Sequence, residues 1–291
     1  MQRGALPAGV AEGGVDARRA WAAPWAPAAL GLALRRQALG LATLAALLVV
    51  WEAASRTRLL NPQLVPPVTD ILATFGQLWT DRPFPQQTFV TQTVATLWRM
   101  AVGYVAAAVL GIGLGLLMGR SRAVADLFWP LIEFLRPTPP VALIPVLLLL
   151  VGIGDQMRLI IIAFAALFPI LLNTIDGVRG VHPTLLDVAR TFRFRGLALL
   201  RRVIFPAALP QIVAGLRISL AIALIVALVS EMVGATNGLG YFILQQQRGL
   251  RIRETYAAMV QLALVGLVLN ALFVAVERRV LAWHRQSTGQ A

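Results

Sequence analysis

Apolar positions in this chain do not alternate with polar ones, as they would along a half-buried surface. They run on almost free of charge in six long stretches, at about 37–54, 94–118, 127–151, 157–175, 212–233 and 256–281. Each is close to the roughly 20 residues an α-helix needs to cross the hydrocarbon of a bilayer. In lipid, backbone groups must be satisfied within the segment or within a closed barrel, and continuous apolar runs of this length fit only helices. The pattern therefore predicts an all-α integral membrane protein with six transmembrane helices. The third run is the least regular, because Pro137, Pro139, Pro140 and Pro145 should break or kink its start.

The segments between the runs supply an orientation. With the N-terminus inside, the inner flanks carry thirteen arginines, among them Arg120, Arg179, Arg190, Arg193, Arg195, Arg201 and Arg202. The outer loops carry seven, at Arg56, Arg58, Arg82, Arg158, Arg248, Arg251 and Arg253. That asymmetry predicts both termini in the cytoplasm. Residues 1–37, rich in Ala, Pro and Gly without periodicity, read as a disordered cytoplasmic tail. Residues 38–285 form the transmembrane domain, with a long inner loop at 180–210, and 286–291 a short C-terminal tail. In the outer segment 55–93, Thr69 is placed to cap a short helix over 70–79, with Asp70 in its first turn, lying along the membrane interface.

Composition changes the picture mainly by exclusion. Hydrophobic residues make up 58% and charged residues 13%, well away from the balance of soluble domains. The net charge of +13 sits in the loops, which fits membrane orientation and not a nucleic-acid-binding face. There is no Cys, and two His far apart in the chain, His182 and His284, make no metal site. All 26 basic residues are Arg. A phosphate-binding P-loop needs Lys, so the chain does not hydrolyse ATP itself; it is expected to be a transport subunit without catalytic residues or a cofactor of its own.

Several motifs stand out. Gly103, Ala107, Gly111, Gly115 and Gly119, spaced by four, give the second run a smooth groove where another helix can approach closely. Glu133 and Arg136, three apart beside a Pro-rich stretch, could pair and line a gate or translocation path, or form an interfacial ion pair. Glu231 near the end of the fifth run could line the same path or bond to a neighbouring helix. Gln261 in the sixth run suits an interhelical hydrogen bond.

The inner loop carries most. Asp187-Val188-Ala189-Arg190-Thr191-Phe192-Arg193-Phe194-Arg195-Gly196 reads as a charged helix with Asp187 in its first turn, after Pro183. Leu186, Ala189, Arg190 and Arg193 follow helical spacing and could form one contact ridge. A second helix over 197–204 is expected to be ended or bent by Pro206.

These residues resemble a known family. Leu135-Arg136-Pro137-Thr138-Pro139-Pro140, Phe168-Pro169-Ile170, Gly215-Leu216-Arg217-Ile218, Glu231-Met232-Val233-Gly234-Ala235 and Gly238-Leu239-Gly240-Tyr241 together match permease subunits of ABC importers of the sulfonate/taurine/nitrate group, with a MetI-like membrane fold. The resemblance covers about 64–285. It implies a homodimer in the bacterial inner membrane and two copies of an ATPase subunit holding ATP and Mg. It also implies a periplasmic or lipid-anchored binding protein that delivers a small solute. Asp187, Val188, Ala189, Arg190, Thr191, Arg193, Gly196 and Pro206 would then form the loop that couples to the ATPase. Asp187-Val188-Ala189 stands where the family has Glu-Ala-Ala, and Arg193 where it has Gly; Gly196 could supply the turn instead. A secondary transporter working without an ATPase stays open as the alternative; it should show inverted repeats and a charged midplane site.

Overall fold

The computed structural model describes residues 26–80 and 88–283, with side chains from residue 38 onward. Among the described residues every regular element is a helix. They fall into two compact units, residues 1–60 and 61–291. The first holds α1 (Ala26–Arg56), whose last turn is tied by Arg56 Nε donating to Glu52 Oε1 at 2.6 Å. The expected boundary at 37 falls inside this helix, and residues 1–25 lie outside the described residues, as do Arg82, His284, Arg285 and the 286–291 tail.

The second unit holds α2 (Val68–Thr80), α3 (Phe89–Arg120), α4 (Arg122–Leu135), α5 (Ile144–Val151), α6 (Asp155–Arg179), α7 (Pro183–Thr191), α8 (Gly196–Leu199), α9 (Phe205–Glu231), α10 (Leu239–Arg248) and α11 (Ile252–Val280). Its core is a layer in which α6 lies between α3 and α9. Met157, Ile161, Ile162, Ala166 and Ile170 of α6 meet Met100 and Ala107 of α3 and Ala223 and Ala227 of α9. The glycine stripe of α3 sets this contact. A Cβ added at Gly103, Gly111, Gly115 or Gly119 would lie 2.7, 3.0, 2.6 and 2.6 Å from Ile162, Ile170, Thr174 and Val178 in turn. Each partner lies 59 positions further along the chain, so α3 and α6 run parallel in constant register. Ala107, in the same stripe, is wholly buried.

Parallel neighbours need a return between them, and α4 and α5 make it. The third apolar run is broken in two, as its prolines predict. α4 and the stretch 140–151 meet at 87°. The break falls in the middle of the run, at Arg136–Pro139, because Pro137, Pro139 and Pro140 lack an amide donor and push the preceding residues out of helical geometry. A short 3₁₀ turn, Pro140–Leu143, then leads into α5.

The fifth run also departs from expectation. Pro206 does not end a helix. An almost unbroken helical segment runs Gly196–Glu231, 36 residues, through a π-helical turn at Leu200–Ile204. There the Phe205 amide donates to the Leu200 carbonyl five residues back. The widened turn relieves the clash that the Pro206 ring would otherwise make with the carbonyl four residues before it.

α2 starts at Val68, so Thr69 sits inside the first turn and not at the cap. Asp70 is in that turn as expected, and its Oδ2 also pairs with Arg253 Nη2 at 3.0 Å. Phe75 of α2 stacks on Phe89, which meets Phe242 of α10 edge-on at 5.3 Å, closing that end of the unit.

Candidate functional site

The end of the bundle that carries the N-termini of α3 and α6 holds a polar cluster in which Glu231, Arg99 and Arg158 are buried and Asp155 is half exposed. α9 ends at Glu231, whose side chain is 0% exposed. Its Oε2 accepts from Thr96 Oγ1 at 2.8 Å and from the Gly240 amide at 3.0 Å. Its Oε1 accepts from Arg99 Nη1 at 2.9 Å. Arg99 in turn donates Nε to Asp155 Oδ1 at 2.8 Å and Nη1 to the Asn237 carbonyl at 3.1 Å; its Nη2 reaches the Asn237 side chain. Asp155 also accepts from Arg158 Nη1 at 3.2 Å, and Arg158 Nη2 reaches the Val233 carbonyl at 3.2 Å. Two guanidinium groups and two carboxylates thus balance in charge, so that buried Arg99, Arg158 and Glu231 each have a partner of opposite sign.

The chain between α9 and α10 folds back over this cluster because two glycines let it. Gly238 has φ +111°, and a Cβ there would fall 2.3 Å from the Glu231 carboxyl carbon. A Cβ at Gly240 would fall 2.1 Å from the Leu228 carbonyl. Gln92 of α3 accepts from the Gly238 amide and Thr96 Oγ1 from the Leu239 amide, the latter at 2.8 Å. The Glu231-to-Gly240 motif is therefore one tightly folded cap, strapped to α3 by Gln92, Thr96 and Arg99. Nearby, Gln261 of α11 donates to Thr93 of α3 at 3.1 Å.

The other end carries the charged loop. α7 begins at Pro183, capped by His182, whose Nδ1 accepts from the Thr184 amide at 3.3 Å. Asp187 is the fifth residue of this helix and not in its first turn. It pairs with Arg190 at 2.8 Å, both exposed, and its carbonyl accepts from Thr191 Oγ1 at 3.2 Å. Leu186 packs against a cluster of Val178, Val181, Ile204, Ala208 and Ile212, and Ala189 is buried. The ridge read from spacing is thus split: its apolar members pack inward while Arg190 and Arg193 face out. Leu185, Val188, Phe192 and Leu197 make the exposed apolar face of the loop.

The turn after α7 is made by Arg193 itself, at φ +56°, with Gly196 at φ +54° making a second one. The Phe194 amide donates to the Ala189 carbonyl and the Arg193 amide to the Arg190 carbonyl, both at 2.9 Å, which is the paired closure of a Schellman end. Arg193 holds the left-handed position that suits Gly.

Glu133 and Arg136 do not pair. Glu133 accepts from the Trp129 indole at 2.8 Å, and both residues line an open cavity of about 530 Å³ with Pro137 and Leu172. Arg136 caps α4 in helical geometry, its amide donating to the Ile132 carbonyl, so the spacing is kept and it is the turn of Glu133 towards Trp129 that goes with the missing pair.

Arg99, Asp155, Arg158, Asn237 and the two side chains Gln92 and Thr96 are members of this cluster that the sequence reading did not single out. Arg158, counted there among outer-loop cations, is instead buried in the first turn of α6. The signal existed: an arginine inside an apolar run needs a buried partner. Among the described residues no three His, Asp or Glu side chains converge as a metal site requires.

The chain is similar to known proteins over most of its length. The family described as "Binding-protein-dependent transport system inner membrane component" matches residues 107–283. The taurine transport system permease protein TauC of Escherichia coli (strain K12) is 30% identical over 250 residues, covering 86% of this chain and 91% of its own. The bicarbonate transport system permease protein CmpB of Synechococcus elongatus is 33% identical over 191 residues, covering 65% of this chain and 69% of its own. In fold, the chain superposes with TM-score 0.57 on one from the inward-facing MetNI methionine ABC transporter, at 21% identity, over 64% of this chain and 92% of that one.

Proposed function

We propose, on the premise that this chain belongs to the binding-protein-dependent transport system inner membrane components, that an ATPase subunit drives it through α7 and α8. Membership makes the chain an ABC importer permease of the MetI type, a transport subunit and not an enzyme. The observation that carries the coupling reading is the exposed face of Leu185, Val188, Phe192 and Leu197, set among arginines between two spans. Apolar side chains gathered on a polar, charged end mark a surface that another protein covers. The packing of Leu186 against Val178 of α6 and Ala208 and Ile212 of α9 fastens that face to the ends of both helices, so a push on it is delivered to the spans.

The rest of the assembly follows from the same reading. Two ATPase copies would hold ATP and Mg, a second permease copy would complete the pathway, and a periplasmic or lipid-anchored binding protein would deliver the solute. The end bearing α7 would face the cytoplasm, as its arginines favour, with both termini on that side of a bacterial inner membrane. Glu133 and Arg136, unpaired at their cavity, would line the translocation path. Glu231 would not: its carboxylate is enclosed by three donors, and its role is to hold the cap over α3. The names of TauC and CmpB, which print taurine and bicarbonate, support a small solute with an acidic group, in keeping with the sulfonate/taurine/nitrate resemblance.

Affinity capture of the tagged chain from native membranes tests the coupling reading. A Walker-A ATPase should be recovered with the parent chain and lost with Val188→Asp/Phe192→Asp, while the variant still inserts. Recovery of the parent chain without any ATPase, or full transport by the variant, would sink it.

A further inference from the structure

Two cavities of about 290 and 450 Å³ open beside the charged loop, and they share Arg120, Arg190 and Leu199 as a common wall. Arg179 lines the first, and Phe194 and Arg195 the second. Four guanidinium groups therefore come from four separate places: the last turns of α3, α6 and α7, and the turn before α8. Only Arg190 has a carboxylate partner, Asp187; Arg120, Arg179 and Arg195 have none among the described residues. Arg202 adds a further cation, its guanidinium carbon 5.6 Å from the centre of the Phe194 ring.

Two simpler roles cover part of this. Arginines in the last turns of α3, α6 and α7 complement the helix dipoles, and arginines on an inner flank orient the protein. Neither role requires them to converge on a shared cavity. The dipole role does not extend to Arg195, which flanks the start of a helical segment, the end where a cation is disfavoured. Three arginines line each cavity, and of the four only Arg190 has a carboxylate partner; such a set matches a tetrahedral oxyanion that can take more than one paired hydrogen bond.

We propose that this double cavity binds a phosphate group, supplied either by the headgroup of an anionic lipid or by free phosphate. Basic pockets between helix ends at the cytoplasmic leaflet are suited to lipid headgroups. A bound phosphate would tie the ends of α3 and α6 to α7, stiffening the segment through which force enters. Binding stands on the cavity alone; only its effect on transport rests on the coupling reading.

The test uses the full chain in nanodiscs, so binding is read without any ATPase. In phosphatidylcholine discs, thermal stability is titrated with inorganic phosphate. In discs doped with phosphatidylglycerol, lipid retained by the chain is counted by native mass spectrometry. Arg120→Gln/Arg195→Gln should weaken saturable binding by about tenfold or more, the loss expected for two charge-assisted contacts. Arg248→Gln/Arg251→Gln, at the other end of the bundle, should leave it unchanged. Saturation by phosphate alone assigns the site to the free ion, and retention of phosphatidylglycerol alone assigns it to the headgroup. Absence of saturable binding of either probe, or equal binding by the Arg120/Arg195 variant and the parent, overturns the proposal. Loss of ATPase capture with binding intact would instead count against the coupling reading.

Discussion

Arg99 of α3 and Glu231 of α9 meet at 2.9 Å, 132 positions apart in sequence, with side chains 6% and 0% exposed. Neither charge could be buried alone. Removing one partner leaves the other buried and uncompensated, at a cost of about 3–5 kcal/mol. Arg99→Met and Glu231→Met should each destabilise on that scale. The double variant should lose much less than the sum, since no orphan charge remains. Unfolding of the four proteins in detergent, arranged as a double-mutant cycle, measures the coupling; additive losses would show that the pair is not what holds these helices together.

A second expectation concerns the turn at Arg193. A non-glycine residue in the left-handed region costs roughly 1–2 kcal/mol relative to Gly. Arg193→Gly should keep the Schellman closure and strengthen it by about 1 kcal/mol. Slower hydrogen exchange of the Phe194 amide would show it. Arg193→Val should do the reverse, because a β-branched side chain tolerates this backbone least.

The glycine stripe separates fit from flexibility. A Cβ at Gly115 would lie 2.6 Å from Thr174, whereas nothing stands within 4 Å of one at Gly113 in the same helix. Gly115→Ala should therefore destabilise by about 1–3 kcal/mol through overpacking. Gly113→Ala should stabilise by about 0.5–1 kcal/mol, as expected when Gly is removed from a helix interior. Thermal melts of both variants settle the comparison, and equal effects would refute the close contact.

Pro206 sets the rotation of the coupling segment. Its ring calls for the widened turn at 200–204, and Ala at 206 would let a regular helix form there. Losing the extra residue from that turn would rotate α7 and α8 by about 100° relative to α9. Since the chain has no native Cys, paired labels at introduced cysteines on α8 and α9 report this directly. Pro206→Ala should change the inter-label distance and lower transport; an unchanged distance would show that the turn does not depend on proline.

Much of the fold was legible because bilayer physics is severe. Apolar runs fixed by hydrocarbon thickness located α3, α6, α9 and α11, and the spacing of Gly103 to Gly119 marked a face for close contact. What stayed hidden depended on partners distant in sequence. Arg99 has no partner near it in sequence; Glu231, Asp155 and Asn237 reach it only in the fold. Arg158 was read as a loop cation because its depth depends on where α6 begins. Proline positions told that the third run breaks, but not that its arms meet at 87°. At Pro206 local propensity was misleading, since a π turn, rare in any sequence, absorbs the clash.

The constant register of α3 and α6 has a mechanical consequence. All four side chains seated on the glycines, Ile162, Ile170, Thr174 and Val178, are β-branched and stiff about their first torsion. They act as pegs in a row of sockets, and a shift of one residue would drive every peg into backbone at once. The two helices therefore form a single plank with no sliding freedom between them. Any stroke this protein makes must be taken up at the plank's edges, by the proline elbow between α4 and α5 and by the seam with α9.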